Sequence, residues 1–69
     1  MQAHVIAAAG IASAAARFDA SARRTAADPL ADLAGETVER IGAEIALKAN
    51  VSVLRTADEM AGALLDILA

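Results

Sequence analysis

Alanine occupies twenty-one of the 69 positions, beside one phenylalanine and no tryptophan, tyrosine or cysteine, and this constrains the fold more than any other feature. Alanine is the strongest helix former, and only four glycines and one proline interrupt it. The expected class is all-α. Apolar residues make up 58% of the chain, yet most of that apolar character comes in small side chains. Burying a leucine or isoleucine is worth about 1.5–3 kcal/mol and an alanine methyl well under half of that, while ordering each residue costs about 1–2 kcal/mol of backbone entropy. Two helices of this composition are marginal alone, as is any single core in so short a chain. A packing partner is expected from the outset.

The break between helices is expected at Asp28-Pro29. The residue before proline is pushed out of helical geometry, and proline itself suits the first helical position, so Asp28 reads as an N-cap. The first helix is then expected over residues 3–26, a link at 27–28, and the second helix over residues 29–68. A connection this short makes the helices antiparallel. Ile11, Ala15, Phe18, Ala22 and Thr25 recur at spacings of four and three on one face of the first helix. Small side chains point in almost every other direction.

The second helix carries two apolar stripes. Val38, Ile41, Ile45, Ala49, Val53, Ala57, Met60, Leu64 and Leu68 form the first, with a mean step of about 3.75 residues, longer than the 3.5 of a left-handed coiled coil. Leu47, Val51, Leu54, Ala61 and Leu65 form the second, roughly 120 degrees round a helical wheel. Glu44, Lys48, Arg55, Glu59 and Asp66 take the remaining arc. A hairpin needs one buried stripe, so the first is assigned to hairpin or assembly packing and the second to assembly. Asn50, at a stripe edge, is expected to reach another helix.

Nothing in the sequence supports catalysis: there is no nucleophile–base pair, phosphate loop or metal cluster. No cofactor is expected. His4 is the single histidine and reads as a surface or packing residue. Asp58 and Glu59 are adjacent, which on a helix separates their side chains by about 100 degrees. Glu36 with Arg40 and Glu44 with Lys48 have the favourable four-residue spacing of a solvated face. Arg23 and Arg24 suit a helix carboxy-terminus, and Thr56 can bond back to the preceding turn. The net charge of −3, without a basic patch or stacking rings, excludes a nucleic-acid footprint. The uncharged residues 1–16 lack an amino-terminal Lys or Arg and a leucine-rich stretch, so neither signal cleavage nor stable membrane insertion is expected.

The run Arg55-Thr56-Ala57-Asp58-Glu59-Met60, preceded by Ala49-Asn50 and Val53-Leu54 and followed by Leu64-Leu65-Asp66-Ile67, resembles the carboxy-terminal helix of flagellar basal-body rod and hook proteins. Ala9-Gly10-Ile11 and Arg17-Phe18-Asp19-Ala20-Ser21-Ala22 are similar to the same family's amino-terminal helix. In place of the family's Ala-Asn-Asn-x-Ala-Asn motif stands Ala22-Arg23-Arg24-Thr25-Ala26-Ala27, and a short link replaces the strand-rich domains the family inserts between the helices. The resemblance implies a bacterial axial subunit, exported without cleavage through the flagellar secretion channel. It would reside in the basal body or an extracellular filament, its paired helices packing into a helical or tubular assembly. Its partners would be further copies of itself and flagellar axial proteins. The alternative is a small adaptor that docks on those proteins without polymerising.

Overall fold

A computed structural model describes residues 2–69 as two helices, α1 (Gln2–Ala27) and α2 (Leu33–Leu68), packed as an antiparallel hairpin about 58 Å long and 15 × 13 Å across. The expected all-α hairpin is present. The link is longer than the sequence suggests, and α2 starts at Leu33 rather than Pro29. Two aspartates divide the work that the sequence assigns to Asp28 alone. The Asp28 amide donates to the Arg24 carbonyl (3.0 Å), and the Asp28 carbonyl accepts from the Ala31 amide (3.3 Å). Asp28-Pro29-Leu30-Ala31 is therefore a turn with proline at its favoured second position. Asp32 is the N-cap of α2, accepting from the Gly35 amide at 3.2 Å. A Cβ at residue 35 would overlap the Asp32 carboxylate, so glycine at this position lets the cap close.

The seam between the helices is built of small residues. Ala7, Ala14 and Ser21 of α1 and Ala43 and Ala57 of α2 are buried, and among the described residues no larger side chain is. On α1 the line toward α2 runs His4, Ala7, Ile11, Ala14, Phe18, Ser21 and Thr25, with Phe18 itself exposed; on α2 it runs Glu36, Arg40, Ala43, Leu47, Asn50, Leu54, Ala57 and Ala61. Both alternate steps of three and four, the 3.5-residue period of a coiled-coil seam. Alanine and serine at these positions bring the backbones close, and that closeness sends the bulky side chains to the sides.

The expected buried faces are corrected accordingly. On α1, Ala14 and Ser21 are buried, whereas Ala15 and Ala22 are exposed. On α2 the second stripe, not the first, lies beside α1. Leu47, Val51, Leu54 and Ala61, assigned to assembly, are half-buried beside α1. Val38, Ile41, Ile45, Val53, Met60, Leu64 and Leu68 are exposed, and of the first stripe only Ala57 is buried. Leu65, near the end of α2, is exposed. Bulk was the wrong guide to burial: in a close-packed seam the smallest side chains occupy the centre.

Candidate functional site

The polar side chains that hold the hairpin cluster toward the link. Glu36 receives two hydrogen bonds from Arg24, from Nε at 2.5 Å and Nη2 at 2.9 Å, and Glu39 receives one from Arg17 Nε at 2.8 Å. Ser21 Oγ donates to the Glu36 carbonyl (3.2 Å) and accepts from Arg40 Nη1 (3.2 Å), which also donates to Thr25 Oγ1 (2.7 Å). Fully buried Ser21 is thus satisfied on both counts, as a buried hydroxyl must be. At the open end His4 pairs with Asp58. These contacts join residues far apart in sequence, so they fix which turn of α1 faces which turn of α2.

Several sequence expectations change here. Glu36 and Arg40 do not pair along α2, since each turns instead to α1. Arg23 and Arg24 part company: Arg23 pairs with Asp19 four residues back (2.9 Å), and Arg24 crosses to Glu36. Glu44 and Lys48 do form the expected exposed pair, at 3.0 Å. Asn50 packs against Gly10 of α1, where a Cβ would overlap its side chain, but its Nδ2 donates within α2 to the Ala46 carbonyl (2.7 Å). The contact across the seam is steric, and the glycine is what makes room for it. The sequence signals for the cross-helix pairs were the charges themselves; the missing information was the register.

The Arg24 hydrogen bonds hold the Glu36 carboxyl below the ordinary carboxylate range, and the Arg17 hydrogen bond does the same for Glu39. A carboxyl whose folded pKa is depressed stabilises the hairpin above its unfolded pKa. That contribution is lost as pH falls through the lower folded value. Acidification below the usual carboxylate range should therefore loosen the link end, and the loss should be smaller when Arg24→Ala has already removed the Glu36 contacts. Helicity by circular dichroism from neutral pH downward measures this; identical acid profiles for the two proteins would show that the pair contributes nothing.

No cluster of three or more metal-ligating side chains occurs among the described residues. The larger feature is the uncovered apolar surface. Among the described residues fourteen large hydrophobic side chains are exposed, including Ile6, Ile41, Ile45, Met60, Leu64 and Leu68. Single exposed apolar residues are ordinary, but a run of this extent on a hairpin is not. Of the shallow grooves among the described residues, two flank the seam on opposite sides. One, of about 300 Å³, lies among Ala14, Ala15, Phe18, Asp19, Ala43, Glu44 and Leu47; the other, of about 250 Å³, among Ala3, Ser52, Val53, Thr56, Ala57 and Met60.

Helix α1 is also long and apolar enough to cross a membrane by length and composition. In the hairpin its inward line instead carries the polar contacts of Ser21 and Thr25 and the seam with α2. Compared with protein-family models, with curated proteins and with solved structures, the chain matches none.

Proposed function

We propose that the protein is a non-catalytic structural subunit that packs with further copies of itself into a helical, tubular assembly of the kind formed by flagellar rod and hook proteins. The observation that carries the reading is the inversion of the usual apolar distribution: the buried seam is alanine and serine, while Met60 and most of the isoleucines and leucines face outward. A side chain buried only on association contributes its transfer free energy to association, and about 25 cal/mol per Å² of apolar area is then available to the assembly and not to the monomer. The specific kinship with flagellar axial proteins rests on the Arg55–Met60 run and the terminal helix patterns.

The proposal has a direct test in electron microscopy of the purified protein. Narrow, smooth tubes with walls of helix are expected, because the five residues Asp28–Asp32 between the helices leave no room for an outer domain. Particles that stop at a small fixed size, or that appear only with flagellar axial proteins, would reject the tube and favour the adaptor.

A further inference from the structure

One flank of α2 has a pattern that identifies its occupant. Ile45, Val53 and Met60 project from it, and Gly42, Ala49 and Thr56 lie between them, so large and small side chains alternate along the helix. None of the six is charged; the Arg17–Glu39 pair borders the flank near Gly42. The order is self-complementary when reversed. With a second α2 laid antiparallel, Gly42 falls opposite Met60 and Ala49 opposite Val53, and Ile45 falls within one residue of Thr56. Every large side chain then meets a small one, as ridges meeting grooves require.

From this we infer that the Gly42–Met60 flank is the contact through which two copies of the chain pair antiparallel about a two-fold axis near Val51. The inference rests on the self-assembly reading above and specifies its first contact. Charge selects the flank. The chain carries a net charge of −3, so two copies approach most readily through an uncharged surface. The groove on the opposite side of the seam is rimmed by Asp19 and Glu44, whose exposed pairs with Arg23 and Lys48 a second copy would have to desolvate. A two-fold contact uses the same patch on both copies and is closed. Elongation must then use other uncovered side chains, such as Leu64 and Leu68.

The chain has no cysteine, so single cysteines report the pairing directly. Ala49→Cys and Val53→Cys are made as separate full-length variants, each checked for helicity, then oxidised alone and mixed, with sedimentation of the unmodified protein alongside. The mixture should form the mixed disulfide dimer, joined between position 49 of one copy and position 53 of the other, roughly tenfold faster than either variant alone cross-links, since a disulfide needs Cβ atoms about 4 Å apart. Arg55→Cys, on the charged arc, should not cross-link when mixed with either. Faster cross-linking of each variant with itself would overturn the antiparallel pairing. Large particles without cross-linking at these positions would overturn the contact while leaving self-assembly standing. A helical monomer throughout would overturn both.

Discussion

Ala43→Leu should unfold much of the hairpin, although leucine is a good helix former and adds apolar area. Ala43 is 1% exposed at the centre of the seam, directly between the helices. Added methylenes there have no space to occupy unless the backbones move apart, and overpacking of this kind costs about 1–3 kcal/mol. In a domain this small, that equals much of the total stability a single core supplies. Separation of the helices would also lengthen the Arg40 bonds to Ser21 and Thr25, so the loss should be cooperative. The matched control is Ile45→Leu, two residues away and exposed, which should leave the melting temperature nearly unchanged at the same protein concentration. Thermal melts followed by circular dichroism decide the matter. A more stable Ala43→Leu protein would show that the seam has room for bulk and that its alanines are not there to permit close approach.

The fold class was legible because alanine content, scarce glycine and a single proline all point to helix, and one break point leaves only a hairpin. The position of the break was less legible. Asp28 and Asp32 are both acceptable N-caps, and only the hydrogen bond from Gly35 to Asp32 and the turn through Pro29 decide between them. The seam was misread for a clearer physical reason. Periodicity identifies every apolar line on a helix but not its neighbour, so it left Val38, Ile45 and Met60 open to hairpin or assembly packing, and it is Ala43 and Ala57 that are buried in the hairpin. A second signal was present in the sequence. Ala43, Leu47, Asn50, Leu54, Ala57 and Ala61 keep a strict three-four alternation, whereas the bulkier stripe drifts at longer steps. Strictness of period was a better guide than hydrophobicity.

The polar contacts were the least legible part. Glu36 and Arg40 have ideal spacing for a pair along one helix, worth about 0.2–0.5 kcal/mol. Across the hairpin each finds a better partner: Glu36 takes a two-pronged contact from Arg24, and Arg40 reaches two hydroxyls. A planar guanidinium matches a carboxylate in this geometry, which makes such pairs strong for surface contacts. The consequence is a division of labour. Charged and hydroxyl groups set the register of the hairpin near its link, small residues let the helices close, and the large apolar side chains are left exposed, where the proposed assembly would cover them.

That division predicts that helix content depends on protein concentration, and dilution tests it most directly. Association stabilises the folded state by mass action, so the apparent melting temperature should fall steadily as the protein is diluted. Circular dichroism and sedimentation velocity on the same samples, across about a hundredfold range of concentration, give helicity and particle size together. The expected result is large particles with high helicity at the top of the range, and loss of both in step toward the bottom. A fully helical monomer at the lowest concentration, melting at the same temperature as the concentrated protein, would contradict the account, because the alanine seam and its polar contacts would then suffice without any neighbour.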